Sequence, residues 1–555
     1  MTPESIVEVL QQHAASRPNQ LAMQHYDAHL EPIAGLTYGD LVVSMQKMAA
    51  RLADRVRPGD TALVAMKYGI DYLVALLAIL SLGGVAIPGM PANRRSSQRL
   101  EAMLRVGQSV AMLHDGLNDF TEGILARHDV HALDLSAPAQ GGGTVPPVRR
   151  IPGESAALLQ FTSGSTATPK GVLISHANIV ANQIAIAKHF GHRDGLRLLG
   201  WLPLFHDMGL IGNVLQPLFL GGTALMQSPL DVVSKPASWL KLIERTRAHT
   251  SGGPNFIYDM CVRRVSADEA ASLDLSAWET AYNGSEPVRR HTLERFAEKF
   301  RASGFRATSI FPCYGMAEAS LFVSGHRFFG TDGDTAAPAT DSTGTLVSCG
   351  PIDAETTIVV ADPASLAPLD DGSTGEIFIS GPSVASAYRD ECGIRTAPFA
   401  YRFAAHEGRL FHRTGDLGKI ERGQLFVTGR RKDTIKIRGV TYHAEDVESI
   451  IERECPQIDD HTVCIVGLPA ANGDETVAAV VEISRTTASS ARSTLVSQIR
   501  EAVSLHAGVS VARVSTNGSS VARGETRIAP PSRPPACAKS VLAFSGASSC
   551  EAVAA

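Results

Sequence analysis

The sequence predicts an α/β fold in two parts: a large N-terminal domain of layered helices and strands, residues 1–430, and a small α+β domain, residues 433–555. Three observations carry this. The chain has 555 residues, more than one hydrophobic core usually organises, so two or more domains are expected. From residue 1 to about 425, helical patterns alternate with short β-branched runs, which argues for α/β layers. At Gly429-Arg-Arg-Lys-Asp433 a stretch with its own strand and helix periodicity opens, which puts a boundary at about Lys432.

The elements follow in chain order. Met1 to Leu10 has apolar positions spaced like an amphipathic helix, and acids where a signal peptide would carry basic residues, so a cytoplasmic protein is expected. Thr61-Ala-Leu-Val-Ala65 reads as a strand. The apolar run Tyr72 to Met90 raises the question of a membrane span, but Gly83, Gly84 and Pro88 break it. It reads as a buried helix, Tyr72 to Leu82, turning into a strand at Gly84 to Ile87. Ala137 to Pro147 looks like a surface connection. Apolar Ala156 to Phe161 and Val172-Leu-Ile174 read as buried strands on either side of a turn. After Glu376-Ile-Phe-Ile-Ser380 the pattern becomes short strands and turns. Residues 485–555, rich in Ser, Ala, Thr and Arg, read as a loose or poorly packed tail, atypical from about 515.

Composition excludes several classes of function. The hydrophobic content of 44% and charged content of 19% are those of an ordinary globular protein. A formal charge of −5 and no dense Lys/Arg run with interleaved aromatics argue against nucleic acid as a partner. The eight cysteines are scattered, with no C-x-x-C pair, so neither a disulfide framework nor a zinc site is supported.

Phe161-Thr-Ser-Gly-Ser-Thr-Ala-Thr-Pro-Lys-Gly171 packs hydroxyls, glycines and one cation into a single loop. Backbone N–H groups of such a turn can converge on an anion. Ser163, Ser165 and Thr166 add donors, and Lys170 adds charge. The spacing is not that of a Walker A loop, and a Ser/Thr-rich turn holding no phosphate is the alternative. In Trp201-Leu-Pro-Leu-Phe-His-Asp-Met-Gly209, His206 could approach a carboxylate substrate; a local His–Asp hydrogen bond is the alternative. Tyr282-Asn-Gly-Ser-Glu-Pro287 and Pro312-Cys-Tyr-Gly-Met-Ala-Glu-Ala319 each put a glycine turn beside an acid. Tyr314 offers a flat face for a purine and Glu318 a hard oxygen for Mg²⁺. In Arg413-Thr-Gly-Asp416 the carboxylate can accept both hydroxyls of a ribose, and Arg430 can donate to sugar or phosphate oxygens.

Up to about residue 515 the chain resembles the acyl-adenylate-forming superfamily of acyl-CoA ligases, peptide-synthetase adenylation domains and luciferases, because four motifs stand in the right order. The resemblance implies a β-barrel-like subdomain in the large domain and a mobile C-terminal domain. By the same resemblance, Thr162, Ser163, Gly164, Ser165, Thr166 and Lys170 hold the β/γ-phosphates of ATP. Asn283, Gly284, Ser285 and Glu286, with Tyr314, Gly315 and Met316, belong to the nucleotide site, Ser285 and Tyr314 bordering the adenine. Glu318 binds Mg²⁺, Asp416 and Arg430 hold the ribose, and Lys432 is the hinge. The family usually has Gly in place of Ala167 and Thr in place of Ala317.

Within that superfamily, Trp201 to Leu210, Gly252-Gly-Pro-Asn-Phe256, Tyr282 to Pro287, Cys313 to Ala319 and Leu346-Val-Ser-Cys-Gly350 are most similar to fatty acyl-AMP ligases. Those enzymes activate a fatty acid with ATP and pass it to the phosphopantetheine arm of an acyl carrier protein. His206, Asp207, Asn255, Phe256 and Ile257 become the candidate substrate residues, and His206, Lys170, Glu318 and Lys539 the candidate catalytic ones. The segment that hinders CoA in this group corresponds to about His326 to Thr345 and is short here, which keeps a fatty acyl-CoA ligase as the alternative. Family members also carry a lysine in a Pro-x-Thr-x-x-Gly-Lys-like phrase near the C-terminus. The only lysine after Lys436 is Lys539, outside any such phrase, so weak adenylation is expected, and an adenylate-binding homologue that has lost catalysis is the third reading.

Overall fold

The computed structural model describes residues 3–91, 93, 96–117, 119–128, 130–135, 150–161, 170–330, 339–352, 355–431, 434–437, 440–455, 457–458, 463–469, 475–483, 489–507 and 509–517. Two eight-stranded sheets form the body of the large domain. One runs Phe322–Gly325, Ile310–Gly315, Thr280–Asn283, Thr250–Gly253, Arg197–Gly200, Thr223–Gln227, Leu21–Tyr26, Pro32–Thr37. The other runs Gly393–Arg395, Ala387–Asp390, Gly171–Ser175, Ala156–Phe161, Val85–Pro88, Thr61–Ala65, Ala111–His114, His131–Asp134. In the first sheet the interior strands are parallel and an antiparallel pair closes each edge; in the second, the strands from Ala156–Phe161 to the His131–Asp134 edge are parallel and those at the other end are antiparallel. Both faces of such strands are covered, which is why they read as continuous apolar runs rather than alternating ones.

Helices Ile6–Ser16, Tyr38–Leu52, Ile70–Ser81 and His176–Phe190 supply the core shared by the two sheets, where Met23 and Met226 of one join Val64, Leu158 and Ile174 of the other. The expected buried helix at 72–82 is Ile70–Ser81, with every residue from Tyr72 to Leu80 buried. It turns into Val85–Pro88 through Gly83, whose φ of 77° suits glycine. Among the described residues no helix is long and apolar enough to cross a membrane. A second core, with Trp201, Trp239, Trp278 and Phe296 all fully buried, covers the far face of the first sheet.

The expected β-barrel-like subdomain takes the form of a four-stranded antiparallel sheet, Thr357–Ala361, Gly375–Ser380, His412–Glu421, Gln424–Arg430. The smaller domain follows, with hairpin Thr434–Ile437/Val440–His443, helices Ala444–Glu454 and Ser489–Ala507, and a sheet of Val463–Pro469, Glu475–Glu482 and Val511–Asn517. Its own core joins Ile435, Val447, Ile451, Ile465 and Val477.

This corrects the expectation that residues 485–555 are loose throughout. Ser489–Ala507 is a helix whose Leu495, Ile499 and Val503 are buried, and Val511–Asn517 completes the sheet in parallel with Glu475–Glu482. Apolar residues four apart anchor the helix despite its polar composition. Residues 518–555 lie outside the described residues.

Candidate active site

A cavity of about 1810 Å³ opens at the C-terminal ends of the parallel strands of the first sheet and is bordered by the four-stranded sheet and the C-terminal domain. Such a volume exceeds an ordinary small-molecule pocket of roughly 300–1,000 Å³ and leaves room for a nucleotide together with a second substrate.

Glu318 sits in a short 3₁₀ turn, Ala317–Ala319, directly after strand Ile310–Gly315. It is only 7% exposed and lines the cavity. The hydroxyl of Tyr388 donates to its Oε1 at 2.5 Å. The Lys170 ammonium stands over the ring of the same tyrosine, 3.8 Å from its centroid. Burial lowers the Lys170 pKa, and the Glu318 charge partly opposes that shift. Burial raises the Tyr388 pKa, with the Glu318 charge adding to it. Tyr388 therefore stays a neutral donor that links the Lys170 ammonium to the Glu318 carboxylate.

Asp416 is placed by strand His412–Glu421, where it pairs in register with Arg430. Its Oδ2 accepts from the Tyr314 hydroxyl at 2.7 Å, and its Oδ1 lies 3.0 Å from Arg430 Nε. Tyr314 is buried with its phenol pKa pushed well up, first by burial and then by Asp416. Nearby, Arg413 grips Glu376 at 2.8 and 2.5 Å. Sequence spacing alone does not bring Tyr314 and Asp416, 102 residues apart, into contact.

The turn after strand Thr280–Asn283 is tight. A Cβ at Gly284 would meet Cys313 O at 2.8 Å, and Ser285 adopts φ of 70°, a left-handed conformation uncommon outside glycine. Asn283 Nδ2 donates to Asn255 Oδ1 at 3.3 Å, while its own Oδ1 is buried without a partner. Glu286 accepts from the Phe256 N–H at 2.5 Å, which ties this turn to helix Asn255–Arg264. His206 Nδ1 lies 2.7 Å from Asp207 Oδ1, so the local His–Asp pair is formed; His206 lines the cavity as well. Asp207 also accepts from the Met208 N–H at 2.7 Å and starts the π-helical segment Met208–Leu215, a rare element often found at functional sites.

The structure brings together Lys170, His206, Asp207, Asn255, Gly284, Ser285, Glu286, Tyr314, Gly315, Met316, Glu318, Asp416 and Arg430 around one cavity. Phe256 and Ile257 are placed elsewhere. The Phe256 ring meets Trp201 edge-on at 6.2 Å, and Ile257 is fully buried; both belong to the core beneath the sheet rather than to the cavity wall. A residue at the start of a helix that packs on its sheet turns inward, and the motif's order does not show which way it faces. The apolar wall comes instead from Ile186, Phe190, Leu198 and Phe322, with His192 and Thr250 at its far end. Those residues, and Tyr388, had no motif to mark them. Thr162, Ser163, Gly164, Ser165 and Thr166, the expected hinge Lys432, and Lys539 lie outside the described residues.

Residues 10–389 match the model of a family described as AMP-binding enzyme. The chain belongs to that family. It is an adenylate-forming ligase, and fatty acid ligases stand among its relatives. The chain is 31% identical over 518 residues to the medium-chain-fatty-acid–[acyl-carrier-protein] ligase JamA of Moorena producens, covering 87% of this chain and 86% of the relative. It is 42% identical over 316 residues to the medium-chain-fatty-acid–[acyl-carrier-protein] ligase TtuA of Teredinibacter turnerae, a match to 53% of this chain and about half, 49%, of that protein. The crystal structure of fatty acid AMP ligase from Legionella pneumophila superposes with a TM-score of 0.72 at 30% identity, covering 94% of each chain. In this AMP-binding fold the two sheets and the four-stranded sheet are the parts that frame the cavity.

Proposed function

We propose that the chain is a fatty acyl-AMP ligase: it activates a fatty acid with ATP and passes the acyl group to the phosphopantetheine arm of an acyl carrier protein in the cytoplasm. The observation that carries this reading is the cavity itself, where a nucleotide-sized polar half around Asp416, Tyr314 and Glu318 continues into the apolar wall of Ile186, Phe190 and Phe322.

A fatty carboxylate is a weak nucleophile with a poor leaving group. In the first half-reaction its oxygen bonds to the α-phosphorus of ATP, the α–β bridging P–O bond breaks, and pyrophosphate leaves. In the second, a thiolate bonds to the acyl carbon and AMP leaves with the anhydride oxygen. Neither step needs a side-chain nucleophile, so catalysis is positioning and charge neutralisation. Asp416 accepts the ribose hydroxyls, Arg430 and Lys170 meet sugar or phosphate oxygens, and His206 meets the acid carboxylate. Ser285 and Tyr314 border the adenine. Tyr388 is a positioning residue that fixes the Glu318 carboxylate by donating to one of its oxygens.

Glu318 fits a Mg²⁺ ion. Magnesium is usually held by one or two carboxylates together with substrate phosphates rather than by an all-protein cage. Among the described residues no group of three or more His, Cys, Asp or Glu could form such a cage. When bound, the ion neutralises charge on the phosphates.

Acceptor choice separates this reading from a fatty acyl-CoA ligase. Purified protein is incubated with ATP, Mg²⁺ and a fatty acid, then offered CoA or a phosphopantetheinylated carrier. Acylated carrier with no acyl-CoA is expected; acyl-CoA in its place would make the chain a CoA ligase. The sequence carries no C-terminal lysine phrase, and this favours one second reading, a nucleotide-binding homologue with weak or lost adenylation, which predicts nucleotide binding without pyrophosphate release. If Lys539 is functional, Lys539→Ala cuts acyl-AMP formation sharply; an unchanged rate dismisses that lysine.

A further inference from the structure

The cavity runs inward from the nucleotide turn along strand Thr250–Gly253. Gly253 pairs in register with Asn283, whose strand leads into Gly284 and Ser285, and Thr250 pairs with Thr280 at the other end. Ser285 and Thr250 both line the cavity, so it reaches about 10 Å below the turn, the rise of three strand residues. Its sides on the way down are apolar. The Phe190 ring, at the end of helix His176–Phe190, meets Phe322 at 5.4 Å and Tyr282 at 6.4 Å.

The lower end is polar. His192, whose ring lies 5.2 Å from that of Phe190, lines it with Thr250 and Asn213. Gln216 Nε2 donates to His192 Nδ1 at 3.4 Å, so Nε2 carries the ring proton and donates to Thr250 Oγ1 at 2.9 Å. Thr250 thereby keeps its own proton to donate. Asn213 stands about one helical turn before Gln216, on the π-helical segment Met208–Leu215, and a Cβ at Gly200 would meet its Cβ at 2.5 Å. The Asn213 Oδ1 accepts from the Tyr282 hydroxyl at 2.6 Å, but its Nδ2 is buried with no partner, in a residue only 2% exposed. Buried polar groups are nearly always paired, so an orphaned donor in a cavity wall calls for a ligand atom. Burial pushes the His192 pKa down from 6.5 to about 3, so this end offers neutral donors, matched to a hydroxyl rather than to a second carboxylate.

We propose that Thr250 and Asn213, at the lower end of the cavity, select an acyl chain that carries a hydroxyl at its far end. The inference rests on the reading of a fatty acid as the substrate and names its class. The acid carboxylate stays near His206 and the nucleotide turn, and the chain descends past Phe190 and Phe322 to the polar end. There the substrate oxygen gives these donors an acceptor, whereas a methyl end leaves them unpaired. A site built to hydrogen-bond a substrate hydroxyl rejects the analogue that lacks it far more strongly than an apolar pocket rejects one extra methylene.

The experiment gives the full chain, with ATP and Mg²⁺, a length series of straight-chain fatty acids and, at each length, the same acid with a terminal hydroxyl, and follows acyl-AMP formation. At the best length, wild type is expected to prefer the hydroxy acid by about tenfold in kcat/KM. Thr250→Val and Asn213→Leu, which keep the side-chain shape and remove the donor, are expected to bring that ratio toward one. The ratio is taken within each protein, so a general loss of activity in a variant cancels. A wild type that uses plain acids as well as hydroxy acids at every length overturns the selection and leaves the ligase reading standing, with ordered water on the donors. A preference that survives in both variants overturns the roles of Thr250 and Asn213. No acyl-AMP with any acid overturns the functional reading, and the selection with it.

Discussion

Tyr388 joins the two charges that matter most at the residue scale, its hydroxyl on Glu318 and its ring under Lys170. If Glu318 neutralises charge through a metal, Glu318→Gln is expected to slow pyrophosphate release by about 10²-fold, as loss of one transition-state stabiliser does. Lys170 adds a pH dependence. Burial favours its neutral form and lowers its pKa from 10.5, so the cation is lost at lower pH than in an ordinary lysine. The adenylation rate should therefore fall on the alkaline side below pH 10.5, and Lys170→Arg, which stays charged, should remove that fall from the pH–rate profile. The sign for stability is opposite. Between the lowered folded value and 10.5 the unfolded chain binds more protons, so this group's contribution to stability grows as pH rises through that window.

Individual elements are held by close approach as much as by apolar burial. Strand Thr250–Gly253 carries Gly252, where a Cβ would meet Tyr282 O at 2.1 Å, and Gly253, where it would meet Trp201 at 2.6 Å. Gly252→Ala must push backbone aside and is expected to destabilise the protein by about 2 kcal/mol, as overpacking does, read as a lowered midpoint in denaturant. At the end of helix His176–Phe190, His192 lies between Thr250 Oγ1 at 2.9 Å and Gln216 Nε2 at 3.4 Å. Burial pushes its pKa down from 6.5 to about 3. The unfolded chain takes up this proton first, so stability is full above pH 6.5 and declines as pH falls toward 3. Substituting His192 by Phe should flatten that part of the stability profile, and a profile as steep as wild type would show that other groups set it.

Over the whole molecule, local pattern was most legible where elements are apolar and short. Thr61–Ala65 lies where its β-branched run predicts, and the helix before Val85 follows its continuous apolar face. The hairpin from Thr434 and helix Ala444–Glu454 begin a core of their own, while the expected boundary at about Lys432 falls on residues outside those described. Composition misled at 489–517, where Ser and Thr hide a helix whose Leu495 and Ile499, four apart, gave a usable signal. That Tyr314, Glu318, Asp416 and Arg430 share one cavity follows the motifs that singled them out. The apolar half of the cavity was not legible, because Phe190 and Phe322 come from separate elements and any apolar residue serves there. Tyr388, 70 residues from Glu318, meets it because Ala385 N–H donates to the Glu318 carbonyl at 2.8 Å and Ala387–Asp390 pairs with Gly171–Ser175.

Acid-dependent acyl-adenylate formation tests the account most directly. Purified protein with ATP and Mg²⁺ is given a panel of fatty acids, and acyl-AMP and pyrophosphate are followed by mass spectrometry. The account predicts acyl-AMP only when a fatty acid is present, strongly reduced in Glu318→Gln. ATP that binds but yields no acyl-AMP with any acid would contradict it and would leave a nucleotide-binding protein without the ligase reaction.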